Sequence, residues 1–318
     1  MASLPPPERS TDPTWIRAKK IVRGCFPVPS QVWQLVRSSW SGLAVDQNLI
    51  AHLSGSSVGA GFIFDAAQPT VLGTRDNIVT AAQAIESLGH RSCATVVAIN
   101  YTVRTVLRLR PTIAWEKILR EMAASAEVGA IIGRRIPSLG VEGGVLVGAA
   151  RSAALCFLLV NFPKEFKKWW ISSGAKPNRK VELDLFGCEA YQISAFILQQ
   201  LGFGTAVALG VSVGMSSEDV KDHVKYPKNV LRWKAGYHWV EALRFNRSYP
   251  ADRISREFYQ ELKVQPGGKS STLLEVLYSE VANVARNGSK WTWHLPRASY
   301  EDTAGLLTER KSKVAASE

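Results

Sequence analysis

Apolar residues recur along this chain at the three- and four-residue spacing of helices, and strict strand-like alternation is rare. Val32, Leu35 and Val36 form one such stripe, and Ile118, Leu119, Met122 and Ala126 form another. The stretches from Ala82 to Leu88 and from Ser194 to Leu201 behave in the same way. Residues 94–110 are β-branched enough to suggest a strand, yet their length without Gly or Pro favours a buried helix with Tyr101, Val106 and Leu109 facing inward. Helix punctuation is frequent. Ser30, after Pro27 and Pro29, predicts an N-cap for a helix over 31–37. Thr80 predicts a cap before Ala81, and Gly89 a C-terminal stop. Pro111 and Pro137 mark further breaks, and Gly174 to Pro177 begins a basic connector. The pattern predicts an all-α fold, a multi-helix bundle of many short helices.

Composition sets the bounds. The Pro-rich, charged opening and the ERKSKVAASE ending predict disordered tails at 1–21 and 289–318, leaving a domain over 22–288. No signal peptide is expected, because the first twenty residues lack an uninterrupted apolar core. The best apolar run, Ala153 to Phe162, falls short of the ~20 residues a bilayer span needs, so no transmembrane segment is expected. Cys25, Cys93, Cys156 and Cys188 are scattered and form no CxxC pair, which suits a reducing, cytoplasmic setting and argues against disulfides or zinc. The net charge of +12 admits an acidic partner, but its dispersal along the chain favours a solubilising surface. Of ten tryptophans, Trp33, Trp169, Trp170, Trp233 and Trp239 are expected to anchor helix packing. Trp291 and Trp293 either dock a partner or pack back onto the domain, the latter being favoured.

An ordered set of short motifs resembles the HDOD domains, bacterial signalling modules related to the HD and HD-GYP phosphohydrolases. Phe26-Pro-Val-Pro-Ser-Gln-Val-Trp-Gln-Leu35 is similar to their LPxLP-type opening, and Asp46-Gln-Asn-Leu49 to DPxL with Gln47 in place of proline. Ala84-Ile-Glu-Ser-Leu-Gly89 resembles AIxxLG, and Glu182-Leu-Asp-Leu-Phe-Gly187 resembles ExxxFG. Residues 256–262 fit a late closing helix. The resemblance spans about residues 22–286 and implies an N-terminal helical subdomain (22–112) packed on a degenerate HD-like subdomain (113–288).

The departures bear on function. Gly148-Ala-Ala-Arg-Ser152 stands where such domains often carry GLLHD, so Arg151 and Ser152 replace the metal-binding His-Asp pair. Ala190, Gly214 and Met215 stand where the resemblance implies further histidines. An HD phosphohydrolase needs His and Asp ligands to hold metals that activate water. A guanidinium stays protonated and cannot ligate. The resemblance therefore implies a kept fold with lost chemistry, and no catalytic residue, metal or cofactor is expected.

The remaining constellations are weak. The five histidines contain no i, i+4 pair, and His238 with Glu241 reads as a satisfied helical histidine rather than a ligand pair. Asp222-His223 reads as a solvated loop pair, and Gly55, Gly59 and Gly61 as a helix end rather than a phosphate cradle. Cys156 sits in an apolar run where a thiol is inert. Lys164, Lys167, Lys168, Trp169 and Trp170, followed by Lys176, Arg179 and Lys180, form a basic-aromatic patch over 164–180. Such a patch can pair phosphates and stack on bases, or can be a Trp-rich buried face with a lysine-rich solvent face; the second is favoured. Arg134 and Arg135 beside Arg151 could line an anion pocket in the old metal cleft. The leading expectation is a non-catalytic bacterial signalling module with a protein partner or small ligand. A nucleotide- or nucleic-acid-binding protein is the alternative, and a residual phosphodiesterase stands behind it. Oligomeric state is not legible.

Overall fold

The computed structural model describes residues 10–54, 57–111, 115–174, 176–216, 226–245, 247, 249–263 and 272–291. Among them every regular element is helical. The chain enters through α1 (Pro13–Cys25), not through a disordered tail up to residue 21. Asp12 caps this helix by accepting from the Thr14 amide at 2.8 Å, and Pro13 supplies a pre-set first turn. Trp15, Ala18, Ile21, Val22 and Cys25 then recur at helical spacing and are buried, a stripe that the proline-rich composition masks. Residues 1–9 lie outside the described residues.

Next come α2 (Ser30–Ser41), α3 (Asp46–Ser54), α4 (Ser57–Ala66), α5 (Ala81–Leu88) and α6 (His90–Arg108). Ser30 is the first helical residue of α2 and makes no capping bond; Pro29 holds the cap position instead. At α5 the expected cap is present as a full capping box between Thr80 and Gln83. Gly89, at φ 73°, both ends α5 and starts α6. Within α6 Val106 is buried, but Tyr101 is half-buried and Leu109, past the last turn, is 38 % exposed rather than inward. Gly59 and Gly61 lie within α4, and Gly55 falls outside the described residues.

The centre of the bundle is an antiparallel pair, α7 (Trp115–Arg135) and α8 (Val141–Asn161). A Cβ placed on Gly144 would lie 1.8 Å from the Gly129 carbonyl oxygen, and one on Gly133 would lie 2.1 Å from that of Gly140. One on Gly148 would fall 2.2 Å from the Ser125 oxygen. The two backbones touch from Ser125 to Gly133 on one helix and from Gly140 to Gly148 on the other, and at these glycines no side chain larger than hydrogen fits between them. Around α8 pack α6, α7, α11 (Ala190–Gln200) and α13 (Lys228–Arg244). Consequently α8 reaches a mean hydropathy of 1.9 over a window that is 89 % buried. The expectation that no run approaches bilayer length is thus corrected: this 21-residue helix is long and apolar enough. Its apolar surface is consumed in the core.

The remaining elements are α9 (Pro163–Ser173), α10 (Arg179–Phe186), α12 (Thr205–Met215), α14 (Arg253–Phe258) and α15 (Thr272–Asn287), with a 3-10 turn at Gln260–Leu262. The late helix expected over 256–262 is therefore a short helix followed by that turn; the long closing helix is α15. One hydrophobic cluster runs from Trp15 to Trp291. Trp169, Trp233 and Trp239 anchor it and Trp170 is half-buried, whereas Trp33 stands 42 % exposed and anchors nothing central. The chain beyond α15 packs back at Trp291, where the Ser289 hydroxyl donates to Glu127; Trp293 and the rest of the expected C-terminal tail lie outside the described residues.

The helix-pair contact is testable by urea denaturation. Gly144→Val should destabilise the fold by about 3 kcal/mol or more, since overpacking against backbone cannot relax by a rotamer change. Gly24→Ala, in α1 with open space around it, should stay within about 1 kcal/mol of the parent. Equal effects of the two would contradict the contact.

Candidate functional site

Beyond Gly148 the α7–α8 pair opens, because side chains replace glycine at the next turn. A cavity of about 520 Å³ forms there, between these two helices, the C-terminal end of α9 and that of α13. Its depth is lined by Val147, Ser152, Leu155, Tyr237 and Val240, all buried. Arg151 projects into it with Nη1 3.8 Å from Glu241 Oε1, and the Tyr237 hydroxyl is hydrogen-bonded to the same guanidinium. Burial pushes the Tyr237 phenol far above its usual range, so it stays neutral. Glu121 also lines the cavity; its Oε2 accepts from Arg244 Nη2 at 2.8 Å. At the rim Lys117 sits 5.2 Å from the centre of the Trp170 ring, a cation–π distance. Among the described residues no group of three or more His, Cys, Asp or Glu side chains is placed to share a metal.

The residues singled out from the sequence do not all assemble into one pocket. Arg151, Ser152, Glu241, Trp170 and Lys176 line the cavity, and the other singled-out cations do not. Arg134 and Arg135 lie at the far end of α7, where Arg134 donates to the Val71 carbonyl at 2.5 Å and Arg135 pairs with Glu280. Helical rise carries them away from Arg151, which sits three turns into α8. Lys167 and Lys168 are exposed on α9, and Arg179 Nε faces Glu189 at 3.8 Å. Trp169 is buried and Trp170 lines the cavity, so the basic-aromatic run is a buried aromatic face beneath a solvated lysine face. The positions expected to have lost metal ligands lie around Arg151: the Ala190 amide donates to the buried Glu182, a carboxylate within electrostatic reach of Arg151, and Gly214 packs against Tyr237, the phenol engaged by the same guanidinium. Sequence reasoning singled out Trp170 and Lys176 within the 164–180 patch but missed Tyr237 and Glu121, which are brought to the cavity by two other helices.

Two nucleophile-like features resolve as structure. Gly210-Val-Ser212-Val-Gly214 matches the GxSxG string, but it lies inside α12 and forms no nucleophile elbow. The Ser212 hydroxyl donates to the Ala208 carbonyl of its own helix at 2.5 Å, and no strand precedes it. Cys156 is buried, and burial pushes its thiol up to about 12, which leaves it inert.

No family model matches this sequence, and no curated protein matches it. Solved structures do. A protein from Shewanella amazonensis SB2B described as a candidate phosphohydrolase aligns with a TM-score of 0.58 at 14 % identity, over 84 % of this chain and 94 % of that one. An HDOD domain protein of unknown function from Geobacter sulfurreducens aligns at 0.54 and 12 % identity, over 95 % and 94 %. A candidate signal transduction protein from Marinobacter aquaeolei VT8 aligns at 0.54 and 16 % identity, over 90 % of this chain and 60 % of that one. The chain has an HDOD-like all-α fold.

A second polar cluster sits behind the cavity. Lys234, buried in α13, places Nζ 3.4 Å from Asp252 Oδ2. The same oxygen accepts from the Ser255 hydroxyl at 2.6 Å and from the Ser255 amide at 2.9 Å. His238 Nδ1 lies 2.8 Å from Ser255 Oγ, and its Nε2 donates to the Gly214 carbonyl at 3.0 Å. The residues invite comparison with a nucleophile–base–acid set. Yet Ser255 is only 1 % exposed and its hydroxyl donates to the carboxylate, so the cluster caps α14 and ties it to α13. Burial would raise the Asp252 carboxyl, but the His238 imidazole 3.7 Å away and hydrogen bonds from Ser255, with Lys234 nearby, hold it well below the usual range. A depressed carboxyl stabilises the fold above its unfolded pKa of 3.8, and that stability is lost as pH falls through 3.8 toward the folded value. Asp252→Ala should cost about 3–5 kcal/mol at neutral pH by removing the carboxylate from a buried cation pair, and should flatten the loss of stability on acidification. Denaturation measured across acidic and neutral pH checks both; an unchanged acid limb would remove Asp252 from the account.

Proposed function

Starting from this HDOD-like fold, we propose that the protein is a non-catalytic signal-transduction module, cytoplasmic and bacterial, acting through protein–protein contacts and a small bound ligand. The observation that carries the reading is Arg151. It stands where the family resemblance puts the His-Asp pair, it faces the cavity between α7, α8 and α13, and it is engaged by Glu241 and Tyr237. A guanidinium remains protonated and repels a cation. The carboxylates that could otherwise serve a metal, Glu121 and Glu241, each face an arginine. The signal-transduction description of the Marinobacter protein agrees with this reading.

The nucleic-acid alternative leans on the lysines of α9 and on Arg179. It is the weaker one, because the tryptophans that would stack on bases are turned into the core and the cavity.

Elemental analysis of the purified chain, with turnover assays on phosphodiester and phosphomonoester substrates in added manganese or magnesium, tests the proposal. Substoichiometric metal and no turnover are expected. A stoichiometric metal accompanied by hydrolysis would overturn it, and DNA binding that weakens steeply with salt would favour the alternative.

A further inference from the structure

The Arg151 cavity has two unlike ends. Its depth combines an apolar wall (Val147, Leu155, Val240) with hydrogen-bonding groups from Arg151, Glu241 and Ser152. Its rim carries Lys117, Lys176 and Arg247, all exposed, and among the described residues none of the three has a carboxylate within ion-pair distance. Both lining carboxylates are already opposed by arginines: Glu241 by Arg151 at 3.8 Å and Glu121 by Arg244 at 2.8 Å. The lining therefore carries four cations (Lys117, Arg151, Lys176 and Arg247) against two carboxylates, with the surplus at the rim.

Resting on the reading of this cavity as a ligand site, we infer that it takes a small anion built on a flat, hydrogen-bonding ring, with the ring inward and the anionic group at the rim. Each part of that description answers a feature of the lining. The unbalanced cations select an anion, and a cavity mouth with apolar walls strengthens their field. An aliphatic body would strip water from Arg151, Glu241 and Ser152 without replacing its hydrogen bonds, a costly exchange. A ring bearing both donors and acceptors replaces them, donating to Glu241 and accepting from Arg151. Trp170, already held beside Lys117, offers that ring an aromatic wall. The volume of about 520 Å³ lies within the roughly 300–1,000 Å³ typical of small-molecule sites, and is far too small for a duplex or a partner helix. Nucleoside monophosphates and heteroaromatic carboxylates share this chemistry.

Calorimetric titration of the full chain separates them. The probes are guanosine monophosphate, guanosine, inorganic phosphate and a pyrimidinedione carboxylate (orotate), each at low and moderate salt. At least one ring-bearing anion should bind, with guanosine or phosphate alone weaker by about tenfold or more. Lys176→Glu with Arg247→Glu, both on exposed rim positions, should weaken the binding anion about tenfold without shifting the melting temperature. Ser152→Phe, which fills the depth, should abolish binding; the rim variant keeps the test decisive should Ser152→Phe fail to fold. Binding by the nucleotide alone assigns the phosphate ester as the source, and binding by the carboxylate alone assigns the aromatic acid. Three results overturn the inference: no probe binds the folded chain, phosphate binds as well as the ring-bearing anions, or the rim variant binds undiminished. None of these alters the metal and turnover results, so loss of the ligand class and loss of the non-catalytic reading are told apart.

Discussion

The backbone contact between α7 and α8 is the constraint on which the rest of the molecule depends. Gly129, Gly133, Gly144 and Gly148 allow the two helices to meet carbonyl against Cα, closer than any pair of side chains would permit. This sets one antiparallel register: Gly133 beside Gly140, Gly129 beside Gly144, Ser125 beside Gly148. Continuing that register by a turn places Glu121 opposite Ser152, where side chains return and the helices no longer touch. The cavity begins there. The glycine contact thus builds the core and also decides where the core stops.

Charge within the cavity follows from the same placement. Arg151 is carried on an otherwise apolar, buried helix, where an isolated cation would be costly. It is accommodated because α13 brings Glu241 and Tyr237 alongside. The orientation of α13 depends in turn on the Lys234–Asp252–Ser255 cluster, which ties it to α14 on its other side. One face of α13 is thus spent on anchoring and another on the cavity. The low hydropathy asymmetry of this helix, with buried residues all around it, reflects both duties.

Local features were legible in the chain. Thr80 and Gln83 form the expected cap, Gly89 turns the chain where a left-handed residue was called for, and the stripe of Ile118, Leu119, Met122 and Ala126 is buried. Errors arose where composition concealed periodicity or where proximity was inferred across turns. The prolines before Trp15 resemble a tail, yet Asp12 and Pro13 begin a helix with a buried stripe. Trp33 has the size of an anchor but stays exposed. Arg134 and Arg135 stand at a helix end and Arg151 in a helix middle, so the rise of the intervening turns separates them.

What the sequence determined by itself is what depends on neighbours within about one helical turn: the all-α class, the capping at Thr80, the turn at Gly89, and the identity of Arg151 and Ser152 where a metal-binding pair was expected. Hydrogen bonds from residue to residue along a helix are short-range, so their signals survive in one dimension. What only the tertiary structure decided is which groups Arg151 faces, which tryptophan lines the cavity, and that Lys117, Lys176 and Arg247 share its rim. Those residues come from helices joined by long detours of chain, and their meeting is set by how closely α7 and α8 can approach. That distance belongs to the packing of two surfaces, and no single stretch of the chain contains it.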